Sequence, residues 1–133
     1  MSRQQAEDLA RDWVEAWNRH DLDGIMAHYA EDVMFTSPFV ATLANEPTGT
    51  LRSAIAVRAY FAKGLAAYPQ LRFELLDVLT GMRSVTIYYR SVKDKVAAEV
   101  MSLNADGLIA CVEVHYRDGA TRPLTAEERV DVA

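Results

Sequence analysis

The chain has 133 residues, half of them hydrophobic, and its 19 acidic and 14 basic side chains give a net charge of −5. That length predicts one domain, residues 1–133, burying about two thirds of its surface, and the apolar content excludes intrinsic disorder. A single cysteine, Cys111, excludes an internal disulfide framework and a thiolate metal cluster, and the negative balance opposes nonspecific binding to nucleic acid or anionic membrane.

No apolar run reaches the roughly 18 residues of a transmembrane helix. The charged start, MSRQQAEDLARDW, lacks the apolar centre of a signal peptide, so a cytoplasmic protein is expected. Residues 4 to 19 read as a first helix. Ala6, Leu9, Ala10, Trp13, Ala16 and Trp17 recur at helical steps, with Glu7, Asp8, Arg11, Glu15 and Asn18 on the wetter side. Asn18-Arg19-His20-Asp21 stops it. Asp21 or Asp23 then caps a short second helix, in which Leu22, Ile25, Met26 and Tyr29 share a face to about Ala30. Val33 to Val40 is mostly β-branched or aromatic. Pro38 limits it to a short strand with a bend after Ser37, along which Phe35, Ser37 and Phe39 alternate. Ala44 to Gly49 is a loop, part of a Thr42 to Arg52 connection expected to overhang an opening between helix and sheet. Ser53 to Ala67 suits a third helix with Ile55, Ala59, Ala62 and Leu65 or Ala66 inside, and Pro69 marks its exit.

The second half changes period. Leu71, Phe73 and Leu75 alternate with Arg72 and Glu74, and the stretch Leu76 to Leu79 predicts burial on both sides. Val85 to Tyr89, Val96 to Leu103 and Leu108 to Tyr116 read as further strands, joined by turns at Ser91 to Lys95 and Asn104 to Gly107. No crossover helix separates them. The expected class is therefore α+β, with a curved mixed or mainly antiparallel sheet wrapped against the first helices. Pro123 to Ala133 reads as an edge strand or a loose tail.

The run from Trp13 to Ile25, WVEAWNRHDLDGI, followed by Tyr29-Ala30-Glu31-Asp32-Val33 and Ser37-Pro38, resembles the start of the SnoaL-like branch of the nuclear transport factor 2 superfamily. Gly49, Ile55, Tyr60-Phe61, Asn104-Ala105-Asp106-Gly107 and His115-Tyr116 continue the resemblance, which covers about residues 5–117. It implies a cone-shaped roll of three N-terminal helices packed into a strongly curved sheet, with a pocket at the wide end and commonly a homodimer. It does not imply one activity, because the superfamily includes ketosteroid isomerases, polyketide cyclases, hydrolases, dehydratases and noncatalytic binders. By resemblance to the isomerases, their oxyanion-donor tyrosine aligns with Trp13, their general-base aspartate with Ser37, and their protonated aspartate most nearly with Glu99. The chain departs from that pattern at Trp13 and Ser37, and keeps only the carboxyl function at Glu99.

Period two sets Ala97, Glu99, Met101 and Leu103 on one face of their strand. If that face lines the cone, burial raises the Glu99 pKa and suits it to acid/base or oxyanion work; otherwise Glu99 is a solvated or salt-bridged residue. Ser37 is the second catalytic candidate, orienting a polar substrate atom or making only a local backbone contact. Trp13, Trp17, Phe35, Phe39, Met101, Val112, Val114 and Tyr116 are candidate ligand contacts, with the aromatic residues equally able to fill a core. Tyr88 and Arg90 share a face and meet an anionic ligand, Glu99 or solvent. His20 and His28 lack a metal-site spacing, and no phosphate loop, hydrolase elbow or nucleic-acid stripe is present, Lys93 and Lys95 reading as a solvated cluster. The expected function is a small-molecule pocket, a cofactor- and metal-independent isomerase, cyclase or hydratase acting on a hydrophobic carbonyl compound. The alternative is a noncatalytic binding or stress-associated accessory protein. Expected partners are a hydrophobic or partly polar small molecule and a second copy of the chain, with Val100, Cys111, Glu113 and His115 facing outward; neither nucleic acid nor membrane is expected.

Overall fold

The computed structural model of the chain describes residues 1–119. The expected edge strand or tail at Pro123 to Ala133 lies outside the described residues. Helix α1 (Arg3–Asn18) begins at a capping box. The Ser2 hydroxyl accepts from the Gln5 backbone and the Gln5 side chain accepts from that of Ser2, satisfying two otherwise orphaned donors. Its buried stripe is Ala6, Ala10, Trp13, Val14, Ala16 and Trp17. The end of the helix is tied down by Asn18, which accepts from the Phe73 backbone N–H at 2.7 Å and donates to the Phe73 carbonyl at 3.0 Å. Helix α2 (Leu22–Met26) is capped by Asp21, whose carboxylate accepts from Gly24.

Strand β1 (Tyr29–Thr36) starts earlier and ends sooner than the sequence pattern predicts. Tyr29 and Ala30 leave the expected second helix because they pair with the last strand, where Tyr29 sits opposite Ile109. Phe39 is not on a strand at all. Ser37 caps helix α3 (Pro38–Leu43), its hydroxyl accepting from Phe39 N–H, and Pro38 occupies the first helical position, where a missing N–H costs nothing. The chain returns through Gly49 (φ +74°), whose carbonyl accepts from Ser37 N–H at 2.9 Å; a Cβ there would meet the Ser37 carbonyl at 3.3 Å. Within the expected overhanging connection, strand β2 (Thr50–Arg52) covers the free edge of β1.

Helix α4 (Ala54–Ala67) is the expected third helix, but rotated about its axis. Val57, Tyr60 and Phe61 are buried, whereas Ile55 is 84% exposed and Ala59 and Ala62 face solvent. Two aromatic rings bury more apolar area than the alanine stripe, and they decide which side packs.

Strands β3 (Glu74–Thr80), β4 (Ser84–Arg90), β5 (Lys95–Leu103) and β6 (Ile109–Asp118) complete a six-stranded sheet of order β2-β1-β6-β5-β4-β3. Only β1 and β6 pair in parallel; the other neighbours are antiparallel. Helices lie over one face of this mixed sheet, giving the expected α+β roll, with one more α-helix among the described residues than the three expected. The predicted two-sided burial of Leu76 to Leu79 does not occur. β3 is an edge strand, so Leu76 and Leu79 are exposed and only Val78 points into the core. The β5–β6 turn is closed by Asn104, which accepts from Asp106 and Leu108 backbone N–H groups, with Gly107 at φ +79°.

Candidate functional site

The inner face of the sheet is set by register. Val85, Ile87 and Tyr89 of β4 point inward with Ala97, Glu99 and Met101 of β5 and Val112 and Val114 of β6, all buried. Glu99, flanked by Ile87 and Val114 on the neighbouring strands, is 3% exposed. Tyr89 lies opposite Ala97, so its ring reaches diagonally along β5 to the carboxyl group. There the Tyr89 hydroxyl donates to Glu99 Oε1 at 2.5 Å. Burial pushes the Glu99 pKa from an ordinary 4.5 up to about 7, with the Tyr89 hydrogen bond opposing part of the rise.

Between this face and the helices is a cavity of about 70 Å³. Its walls are aromatic: Trp13 and Trp17 from α1, Phe35 from β1, Phe39 from α3, Tyr60 and Phe61 from α4, Phe73 ahead of β3, and Tyr89 and Tyr116 from the sheet. Glu99 is the one carboxyl group among the lining residues. Most of the rings pack edge-to-face or tilted, as Trp17 against Phe61 at 4.8 Å and Phe39 against Tyr116 at 4.5 Å between centroids, while Trp13 stacks on Phe73 at 5.7 Å. At the mouth, Tyr68, Leu71 and Val92 continue into an outer groove bearing Arg72 and Lys93.

Hydroxyl groups surround the carboxyl group. Trp13 donates its indole N–H to the Tyr29 hydroxyl at 2.9 Å. Burial and then the Glu99 charge hold Tyr29 and Tyr116 well above the ordinary phenol range, and burial pushes Tyr60 up to about 12 despite a hydrogen bond from Ser37. Each stays a neutral phenol near pH 7. Ser37, 1% exposed, caps α3 and opposes part of the rise in the Tyr60 and Tyr116 pKa values.

Six residues singled out from sequence meet in this wall: Trp13, Trp17, Phe35, Phe39, Glu99 and Tyr116. Ser37 stands behind it against the tyrosines. Met101, Val112 and Val114 are on the same face but buried in the core beside the cavity. Tyr88 and Arg90 do not reach the cavity. The β4 register turns them outward, and Arg90 instead pairs with Glu74 at 3.4 Å and Asp94 at 2.9 Å. Sequence reading missed Tyr89, Tyr29, Tyr60, Phe61 and Phe73. The apolar alternation Val85, Ile87, Tyr89 against Thr86, Tyr88, Arg90 carried the signal for Tyr89.

The α+β roll that holds this cavity has counterparts among solved structures, although no curated protein matches the chain. A SnoaL-like protein of unknown function from Burkholderia thailandensis is 38% identical, with 87% of this chain and 97% of that one covered at a TM-score of 0.85. Bal32a, from a soil-derived mobile gene cassette, is 17% identical over 86% of this chain and 91% of its own, at a TM-score of 0.72. A SnoaL-like family protein from Agrobacterium tumefaciens, named as a candidate isomerase, is 18% identical over 86% and 98%, at a TM-score of 0.69. The last two carry the fold alone. The SnoaL-like domain model matches residues 10–132, and with the Burkholderia relative it establishes that this chain belongs to the SnoaL-like family.

Proposed function

We propose that the chain binds a compact, mostly apolar carbonyl compound and moves a proton on it without a metal or cofactor, in an isomerisation, cyclisation or hydration. The observation that carries this is Glu99, a carboxyl group in the cavity wall whose pKa of about 7 lets it take and return a proton near neutral pH. As the carboxylate, Glu99 removes a proton from the carbon beside the carbonyl. The C–H electron pair becomes the new C=C bond while the carbonyl π pair moves onto oxygen, giving the enolate. As the acid, Glu99 returns the proton to the same carbon or to another position of a conjugated enolate, which isomerises the compound. Tyr89 holds the carboxyl group in place, and Ser37 supports Tyr60 and Tyr116 rather than meeting the substrate itself.

The cavity limits size. At about 70 Å³ it is smaller than the ~150 Å³ that holds one benzene molecule in an engineered protein core. Ring-sized substrates therefore enter by displacing half-buried Phe39 or Tyr116. The test needs no known substrate. The α-protons of ketones from acetone to acetophenone are followed by NMR in deuterated buffer, with the unmodified protein and with Glu99→Gln. Deuterium uptake accelerated by the unmodified protein, and reduced roughly 10²-fold in E99Q, is the expected result. Equal uptake with both proteins overturns the catalytic reading. If the ketones nevertheless bind, the noncatalytic binder takes its place, which the internal commitment of the Trp13 N–H and the Ser37 hydroxyl favours. A homodimer through the outward sheet face is part of the same proposal, and solution mass across concentrations tests it.

A further inference from the structure

Two indoles stand in the cavity wall, and they differ in one respect. The Trp13 N–H is spent on the Tyr29 hydroxyl at 2.9 Å. The Trp17 N–H is buried and has no hydrogen-bond partner, the one buried side-chain polar atom in that condition among the described residues. Trp17 is 6% exposed and surrounded by rings, with Phe61 at 4.8 Å, Phe73 at 5.3 Å and Trp13 at 6.0 Å between centroids. Ring faces offer an N–H donor only a weak contact. A dry, unpaired donor is costly, and native proteins rarely keep one without a use.

The ring cannot easily swing to find a partner. Asn18, the next residue, is bonded to both the N–H and the carbonyl of Phe73, and His20 Nε2 lies 2.9 Å from the Leu71 carbonyl. The end of α1 is thereby fixed to the segment whose Leu71 and Phe73 also line the cavity. From this we infer that Trp17, not Trp13, is the specificity-determining donor of the pocket: its indole N–H receives a hydrogen-bond acceptor of the ligand, a carbonyl oxygen. The inference rests on the proposed small-molecule reading and adds to it the residue that selects an oxygen-bearing ligand over a hydrocarbon of the same shape. With Glu99 in the same wall, the ligand meets one fixed donor and one proton-exchanging group in surroundings that are otherwise largely aromatic.

The matched probes are cyclopentanone and methylenecyclopentane, which differ by an oxygen in place of a CH₂ group. The chain has two tryptophans, so nitrogen-15 labelled protein gives two indole N–H resonances, assigned with Trp17→Phe (W17F). Cyclopentanone is expected to move the Trp17 indole proton downfield and leave that of Trp13 nearly in place, while methylenecyclopentane causes no downfield movement. The ketone is expected to bind about tenfold tighter than the alkene, a ratio that falls toward one in W17F but not in Trp13→Phe. Equal responses of the Trp17 resonance to both probes, or an undiminished ratio in folded W17F, overturns the inference and leaves the pocket reading standing. If neither probe, at concentrations up to their solubility, perturbs any cavity resonance, both fall together. If W17F does not fold, Trp13→Phe assigns the two resonances instead, and the measurement on the unmodified protein decides the matter.

Discussion

Tyr89 and Arg90 are consecutive residues of β4, and each donates to carboxylates in opposite surroundings. Tyr89 points inward and donates a hydrogen bond to Glu99 at 2.5 Å, with both residues buried. Arg90 points outward to Glu74 and Asp94, whose side chains keep 68% and 73% of their surface in solvent. Water and salt compete for the outer contacts and leave them little net weight. The inner pair has no such competitor, so whether Glu99 carries its proton becomes the quantity that changes. One step along a strand thus separates a region where charge is cheap and chemically idle from one where it is costly and usable.

That contrast is tested most strongly by neutralising the inner carboxyl group for good. In the unfolded chain Glu99 has its ordinary pKa of 4.5, and in the folded chain about 7, so between these values the folded state holds a proton that the unfolded state has lost. The associated stability is complete below about pH 4.5 and is lost as pH rises through about 7, a change on the order of 3 kcal/mol. Glu99→Gln, neutral throughout, lacks this slope. Urea unfolding at pH 4.5, 6 and 8 is expected to show the variant gaining on the unmodified protein as pH rises. Parallel stability curves would mean that Glu99 titrates alike in both states.

A smaller effect is expected from Tyr89→Phe (Y89F). The hydrogen bond from Tyr89 favours the charged carboxylate, so its removal raises the Glu99 pKa further. Y89F should lose about 1.5–3 kcal/mol at pH 8, where Glu99 is charged, and less at pH 5, where it is not. The carbon-13 shift of the Glu99 carboxyl group, followed through its titration, should give a higher midpoint in Y89F. An unmoved midpoint would remove Tyr89 from the account of the inner site.

Legibility in the sequence followed the same inside–outside division. Strands β4 to β6 are readable because buried residues alternate with less buried ones along most of each strand, so period two by itself groups Glu99 with Ala97 and Met101. The segment from Tyr29 to Arg52 is misread because its elements are short and locally ambiguous. The alternation of Phe35, Ser37 and Phe39 imitates a strand, but the local cap at Ser37, with Pro38 at the first helical position, makes Phe39 a helical residue. For α4 the alanines give a clean helical period on the wrong side, and the packing of Tyr60 and Phe61 overrides it. The pairing of Trp13 with Tyr29, and the lack of a partner at Trp17, depend on contacts across elements and leave no trace in residue spacing.

The smallest expected effect belongs to Arg90→Gln (R90Q), and its smallness is what sharpens the comparison. The substitution removes both outer ion pairs, with Glu74 and with Asp94. It leaves the backbone bond from Ser91 N–H to the Lys95 carbonyl at 2.6 Å, which holds the turn carrying Ser91 and Val92 at the cavity. The unfolding midpoint of R90Q should fall by less than that of Y89F, and the deficit should shrink further in about 1 M salt, because the lost pairs were already exposed to screening. The Glu99 titration midpoint should stay where it is, since solvent and counterions damp the field of an outward guanidinium before it reaches the inner face. If R90Q instead moves that midpoint as far as Y89F does, the two faces of β4 share one electrostatic environment, and the protonation of Glu99 is governed from the surface as well as from the cavity.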